Sequence, residues 1–410
     1  MRVLIVSHNF WPESFRINDV AVALAKHGCA VTVLTGQPSY PEGSVFPGYR
    51  ALSILRERHP AGFDVVRVPS FPRRRGRALD LVGNYLASIV NLAVLGPWLF
   101  RGQRHDVVFV YATSPVLHTL SGWVVAKFQR AKLVTWVQDL WPDSLEATGF
   151  IRHPWVLRGV SQLVRSAYRS SDLILAQSEA FAKTIRLTAG ATPVRYFPNP
   201  GEVLLSGAAP PSELPTLSLK PGFNLKPGFN IVFAGNLGTV QALDTILDAA
   251  EMLIDRSDVK FVLVGSGSRL DWLKQQIQDR GLFNVELTGR LLPSAMPEVL
   301  RQSSALIVSL IASPIMDQTI PSKVQTYLAA GRPIIASMNG EGARLVEEAG
   351  AGFACPAGDA CALAWAVRRL ADMPLPAREA LGDAALRYYE RHFEPRMLSQ
   401  QLADIFRELC

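Results

Sequence analysis

Residues 310–337 read LIASPIMDQTIPSKVQTYLAAGRPIIAS, and the fold is decided there. Just upstream, Ala305 to Ile311 (ALIVSLI) is a short apolar run, the mark of a buried strand. Ser313 to Ser322 is polar and broken by Pro314 and Pro321. Ser322 fits a helix N-cap, with Lys323 opening the helix. Val324, Tyr327, Leu328 and Gly331 keep helical spacing, Gly331 and Pro333 stop the helix, and PIIAS starts the next strand. A strand running into a helix N-terminus leaves unpaired N–H groups at the carboxyl edge of a parallel sheet. Such an edge is a ready anion site. Lys323 in the first turn opposes the helix dipole, and a bound phosphate between them would remove the conflict. A solvated lysine at a helix start would give the same spacing.

Outward from this stretch the second half repeats one unit. NIVFAGNLG is a strand entering a glycine loop, followed by a helix in QALDTILDAAEML. VKFVLVGSGS and VELTGRL are further strands, and PSAMPEVLRQSS is a helix. Further on, the pattern predicts a short helix over Arg344–Glu348, another over Asp359–Asp372, and a last one from about Leu386 to Leu409. Four loops fall at strand ends: Gly235–Gly238, Gly265–Gly267, Gly289–Arg290 and Gln318–Lys323. Glycine lets a backbone approach a ligand. No GxxxxGK and no complete dinucleotide fingerprint occurs. Together the four loops predict a nucleotide site.

The first half is also α/β. Val3–Ser7 is a strand, HNFWPESFRIND a loop carrying His8, Glu13, Arg16 and Asn18, VAVALAKHG a helix and AVTVLTG a strand: a βαβ unit. PSYPEGSVFPGY is an aromatic, Pro- and Gly-rich loop. FDVVRVPS, HDVVFVYATSP, AKLVTWVQDLWPDS and SSDLILAQS read as strands, the third delivering Gln138, Asp139, Trp141 and Asp143 to a carboxyl end. Ser178 starts a helix in a capping-box-like SEAF. Residues 79–100, LDLVGNYLASIVNLAVLGPWLF, are the most hydrophobic stretch and follow the basic run Arg73–Arg77. Their length could just span a bilayer. Asp80, Asn84, Ser88 and Asn91 form one helical stripe, which instead fits a helix in the membrane interface or packed on the sheet. The basic run beside it fits attachment to anionic lipid. A Gly-, Pro- and Ser-rich linker over 201–229 holds LKPGFN twice in tandem, at 219–224 and 225–230.

At 410 residues, 49% hydrophobic and 19% charged, the chain suits two or three globular domains. A net charge of +7 favours an anionic partner. That charge is spread along the whole chain without a nucleic-acid-binding motif, which argues against DNA or RNA. Cys29, Cys355, Cys361 and Cys410 lack metal-ligand spacing and read as reduced residues of a cytosolic protein.

FWPE…ALAKHGCAVTVLTGQPSYPEG, DLWPDS, PNP, AGNLGTVQALD, VGSGS, LTGRL and IPSKVQTYLAAGRPII occur in this order, and together they resemble GT-B glycosyltransferases of family 4. Within it they are similar to the branch serving bacterial surface-polysaccharide synthesis. The resemblance implies an α/β GT-B fold, two Rossmann-like domains facing a central cleft. An acceptor domain would span 1–200 and a nucleotide-sugar domain 230–385, with a C-terminal helix at 386–410 returning to the first. It further implies retaining transfer of a hexosyl or N-acetylaminosugar unit from a nucleotide sugar, UDP-sugar favoured, to a polyprenyl-diphosphate-linked saccharide. It implies neither metal nor cofactor, at the cytoplasmic face of the plasma membrane as a peripheral protein. Where the family often has a glutamate pair this chain has Gln318 and Thr326. Asn236 and Gln241 replace the usual arginine and lysine, and Tyr111 replaces a histidine.

The assignment that follows places the diphosphate on Lys323 and the Ser322–Lys323 amides. Gly235, Asn236 and Gly238 approach it from the other side, with Gly265 and Gly267 beside them. Gly289 and Arg290 flank the base, Gln318 orients the sugar, and Thr326 stands at the ribose. Asp139 or Glu13 would position or deprotonate the acceptor hydroxyl, with His8, Arg16 and Tyr111 on the acceptor side. Two rival readings are a GT-B epimerase, for which His8 and Glu13 could supply part of a carboxylate–histidine set, and a nucleotide-sugar-binding subunit without catalysis.

Overall fold

The computed structural model describes residues 1–40, 43–71, 78–147, 153–201 and 225–410. The basic run Arg73–Arg77, most of the linker and the first LKPGFN copy lie outside these described residues. The chain divides into two compact units, Met1–Asn199 with Pro395–Cys410, and Pro200–Glu394.

The first unit holds an eight-stranded sheet: β1 (Arg2–Ser7), β2 (Ala30–Thr35), β3 (Leu55–Arg58), β4 (Asp64–Arg67), β5 (Val107–Ala112), β6 (Lys132–Val137), β7 (Leu173–Ala176) and β8 (Val194–Tyr196), in the order β3-β4-β2-β1-β5-β6-β7-β8. Every pairing is parallel except β3 with β4. β5 is buried along its whole length, so its sequence is uniformly apolar rather than alternating. The antiparallel β3 was not legible in the sequence. Its LRER carries no apolar pattern and survives as an edge strand through its pairing with β4.

The final helical stretch, expected as one element from Leu386, is two helices, Leu375–His392 and Pro395–Leu409. The second packs on Arg16–Lys26, burying Leu398, Leu402, Ile405 and Phe406 in the core that holds Ile17, Val20 and Leu24. Each such side chain contributes about 2 kcal/mol, enough to bind this last segment to the first unit.

The 79–100 stretch is a helix, Ala78–Leu99, packed on His118–Gln129. From Asn84 onward its polar stripe faces inward. Asn84 and Ser88 are buried, Asn84 Nδ2 donates to the Phe71 carbonyl, and Asn91 Nδ2 donates to the Pro69 carbonyl at 2.8 Å. Leu86, Val90, Val94 and Trp98, four residues apart, are each more than half exposed. Helical spacing gave the stripe but not its direction. Among the described residues no helix is long and apolar enough to cross a membrane.

The second unit has a six-stranded parallel sheet of β9 (Phe229–Ala234), β10 (Val259–Val264), β11 (Val285–Gly289), β12 (Ala305–Ser309), β13 (Ile334–Ser337) and β14 (Gly352–Cys355), ordered β11-β10-β9-β12-β13-β14. Side chains alternate across it. Ile231 and Phe233 enter one apolar layer, and Val232 enters the other with Val324, Tyr327 and Leu328. The polar segment after β12 contains a short helix, Pro314–Gln318, which was read as loop because its two prolines are breaker signals; Pro314 sits at its first turn, where proline is tolerated. The next helix is Ser322–Ala329, with Gly331 at φ +63° just beyond its end. Its N-cap is Pro321, so Ser322 is the first helical residue and not the cap. The helix expected from Arg344 begins earlier, at Gly340.

Candidate functional site

In the second sheet the strand order reverses beside β9, with β10 on one side and β12 on the other. The crevice outside the carboxyl ends of β9 and β12 is thus the switch point at which open α/β sheets take ligands. Lys323 stands there. One helical turn on, Tyr327 fastens its helix to the end of β9, its hydroxyl accepting from Ala234 N at 2.9 Å and donating to Ala234 O at 3.3 Å. Residues four apart share a helix face, so the same face delivers Lys323 to Gly235. A Cβ on Gly235 would lie 2.6 Å from Lys323 Cε, so the lysine stem occupies the space that glycine leaves.

Lys323 Nζ sits 3.6 Å from the Phe233 ring centroid and, among the described residues, has no hydrogen-bond partner. Burial pushes its ammonium down to about 7. A cation–π contact supplies about 1–2 kcal/mol, less than the cost of desolvating an ammonium. The charged form of Lys323 is therefore left without a counter-ion among the described residues. No side-chain oxygen caps the Ser322–Ala329 helix, so its first amides add to the same field. Phe233 and Tyr327 were not singled out from the sequence. The i, i+4 spacing of Tyr327 from Lys323 is the signal that could have found the latter.

The glycines divide by role. Gly265, at φ +142°, lies where a Cβ would meet the Gly235 carbonyl at 1.9 Å, and one on Gly267 would meet the Leu237 carbonyl at 2.3 Å. These two pack the loops after β9 and β10 against each other, and Leu237 N to Ser266 O at 2.9 Å ties them. Expected to bring backbone close to a ligand, they bring backbone close to backbone instead. Gly238 N donates to Gln241 Oε1 at 3.1 Å, so Gln241 caps this loop. Asn236 is exposed beside it. Gly289, at φ +73°, meets nothing within 4 Å, and Arg290 is exposed after it at the far edge strand β11. The Gln318 amide donates to Pro314 O and the Thr326 hydroxyl to Ser322 O, each within its own helix turn.

In the first unit Glu13, expected as an acid–base candidate, is held in a buried hydrogen-bond network. It is 2% exposed, and its carboxylate accepts from Asn9 Nδ2 at 3.0 Å, Phe10 N at 3.1 Å, Ser39 N at 2.9 Å and Tyr40 N at 2.7 Å. Burial raises its pKa and these four donors oppose the rise. Glu13 ties the loop after β1 to the loop after β2. His8 Nδ1 lies 2.8 Å from Ser88 Oγ, so the His8–Glu13 set that an epimerase would use is not formed. Tyr111, expected on the acceptor side, stands near the carboxyl end of β5. It is buried against Trp136, ring centroids 5.3 Å apart, and burial pushes its phenol up to about 12. Arg16 opens the Arg16–Lys26 helix.

Asp139 remains a candidate. It follows β6 and accepts from Trp141 Nε1 at 3.1 Å, while Ser114, Ser144 and the Leu140 backbone also bond to it. Burial raises its pKa, and these hydrogen bonds oppose the rise.

Two doubly wound sheets in one chain, one parallel throughout and one parallel but for its β3 edge, define a class, and solved structures share it. Anabaena Alr3699/HepE in complex with UDP matches at TM-score 0.69 and 14% identity over 100% of both chains. A sucrose-phosphate synthase from Thermosynechococcus elongatus matches at TM-score 0.69 and 17% identity over 100% of this chain and 98% of that one. The fold is GT-B. Residues 14–200 match the model of the glycosyl transferase 4-like domain and residues 228–373 that of glycosyl transferases group 1. The putative colanic acid biosynthesis glycosyl transferase WcaI of Escherichia coli is 26% identical over 81% of this chain and 82% of its own length. The probable glycosyltransferase WbjE of Pseudomonas aeruginosa is 24% identical over 75% and 76%. The chain belongs to the family-4 GT-B glycosyltransferases.

Proposed function

We propose that this glycosyltransferase moves a sugar, with retention and without a metal, from a nucleoside diphosphate sugar to a polyprenyl-diphosphate-linked saccharide in surface-polysaccharide synthesis. A UDP-sugar is the favoured donor. The observation that carries the reading is Lys323, a desolvated amine with no hydrogen-bond partner among the described residues, at the switch point of the second sheet. A leaving nucleoside diphosphate supplies the charge that this site lacks, and its stabilisation by Lys323 and the helix amides is the electrostatic part of catalysis. The UDP and UDP-glucose complexes of the Anabaena neighbour favour uridine. Asp139 orients the acceptor hydroxyl.

The lipid-linked acceptor and a peripheral place on the membrane draw support from the outer layer of the first unit. Next to the exposed row Leu86, Val90, Val94 and Trp98, the helices His118–Gln129 and Pro154–Arg169 expose Trp123, Phe128 and Trp155. They carry Lys127, Arg158, Arg165 and Arg169 and no acidic residue. Aromatic and basic groups without acids suit an anionic lipid surface.

A thermal-shift screen against UDP, GDP, ADP and their sugars, with and without EDTA, tests the donor site. Stabilisation by one nucleotide that survives EDTA and disappears in Lys323→Ala is expected. Stabilisation by none of them would refute the assignment.

A further inference from the structure

The helix Ala360–Asp372, in the second unit, has two distinct faces. Leu363, Ala366, Val367 and Leu370 are buried in an apolar layer of the unit. Trp365, Arg368, Arg369 and Asp372 recur at i, i+3, i+4 and i+7 and form an exposed stripe. The helix follows β14, so it starts at the carboxyl edge of the sheet and runs back to the amino edge. Arg256, which precedes β10, marks that end, its Nη1 donating to Asp372 Oδ1 at 2.9 Å. The stripe therefore ends at the edge of the sheet opposite to Lys323. A cavity of about 460 Å³ opens on it, lined by Trp365, Arg368, Arg369, Asp372 and Met373. That is the size of a small-ligand site.

Arg369 is held at this opening by two rings. Its guanidinium carbon lies 4.4 Å from the ring centroid of Phe353, on the edge strand β14, and 5.1 Å from that of Trp365. The two ring centroids are 6.4 Å apart. Rings attract the cation but offer no oxygen to its N–H groups. Among the described residues Arg369 has neither a hydrogen bond nor an ion pair. Arg368 Nη2 stands 3.7 Å from Asp255 Oδ1, an exposed contact beyond hydrogen-bond range and worth little. Asp372 is engaged by Arg256 instead. A cation suits the last turn of a helix. That accounts for the charge of Arg369, but not for a cavity in which its donors are unused beside an open indole.

The chemistry of the opening selects its occupant. A guanidinium takes carboxylate or phosphate oxygens through two parallel N–H donors, and it stays charged at any ordinary pH. Trp365 is 59% exposed, and an open indole face packs the C–H face of a sugar ring. No amide or hydroxyl side chain lines the cavity to read the edge of a nucleobase.

We propose that this cavity binds an anionic sugar unit, its oxyanion on Arg369 and Arg368 and its ring on Trp365, as a site separate from the one at Lys323. The ligand chemistry is a pyranose ring carrying a carboxylate or phosphate. Its source is either an acidic residue of a saccharide or a free sugar phosphate.

The test uses the full-length chain labelled with 5-fluorotryptophan, in which Trp365→Phe deletes one 19F resonance and so assigns it. Methyl glucuronide, glucose 6-phosphate, neutral methyl glucoside and UMP are each titrated into the millimolar range. The Trp365 resonance is expected to move with the glucuronide, the sugar phosphate or both, and not with the glucoside. A response to the glucuronide alone supports an acidic saccharide as the source, and a response to the phosphate alone supports a free sugar phosphate. Arg369→Lys keeps the charge but loses the fork, and should bind at least about tenfold more weakly. Lys323→Ala should bind the anionic sugars as wild type does, because that lysine stands at the other edge of the sheet. A Trp365 resonance unmoved by both acids, or moved equally by the glucoside, overturns the inference. So does tighter binding of UMP than of either sugar, wild-type affinity in Arg369→Lys, or lost affinity in Lys323→Ala.

Discussion

Replacing Lys323 by methionine keeps the stem against Gly235 and removes the charge, and two opposite effects are expected. The ammonium falls from an ordinary 10.5 to about 7 through burial alone. The unfolded chain therefore binds more protons than the folded one between about pH 7 and 10.5, and folding stability from this group rises with pH through that window. At pH 7 and below the charged lysine costs the free protein on the order of 4 kcal/mol, at about 1.4 kcal/mol per pKa unit. The contact with Phe233 offsets up to about 2 kcal/mol. Lys323→Met should thus stabilise the nucleotide-free second unit by about 2 kcal/mol, or roughly 4–8 °C in melting temperature for a domain of this size. Nucleotide binding should move the other way. Wild-type protein must take up a proton to bind UDP above pH 7, so its Kd should weaken by up to about tenfold per pH unit from pH 7.5 to 9.5. Calorimetry in two buffers of different ionisation enthalpy reads that proton directly. The methionine variant should bind at least 100-fold more weakly, with no proton uptake. A variant no more stable than wild type, together with a pH-independent UDP affinity, would refute the reading of Lys323 as a charge held for a diphosphate.

Glu13→Ala strands three backbone N–H groups of two loops and should cost about 3–5 kcal/mol by urea denaturation; activity lost without any loss of stability would return Glu13 to the catalytic candidates. Gly265→Ala should destabilise the second unit by more than about 2 kcal/mol and weaken UDP binding, because its Cβ would strike the Gly235 carbonyl. Gly289→Ala, strained in φ but surrounded by open space, should cost only about 1 kcal/mol in the same denaturation assay. Val90→Glu with Val94→Glu, both exposed, should leave the melting temperature unchanged while lowering partition onto anionic liposomes by about tenfold or more; equal sedimentation of the two proteins would remove the lipid assignment of that face.

Much of the architecture was legible because it follows from local periodicity. The apolar runs of β1, β5, β9 and β12, the glycines directly after β9 and β10 and the IPSKVQTYLAAG helix start are short-range signals, and burial and helical spacing are written in them. They sufficed for two α/β units and for the family, and they pointed to Lys323. The sequence alone did not show which way a pattern faces or what a polar group meets across the fold. The Asn84–Ser88–Asn91 stripe was visible, but only packing against a second helix decided that it points inward and that the apolar row points out. Glu13 had the composition of an acid–base group until Ser39 and Tyr40, distant in sequence, closed on its carboxylate. Gly265 and Gly267 looked like ligand loops until the loop after β9 filled their space. His8 and Ser88 lie far apart along the chain, and no spacing rule joins them. Sequence determines periodicity and chemistry one element at a time, whereas the partner of a buried polar group is set by long-range contacts that only tertiary packing supplies.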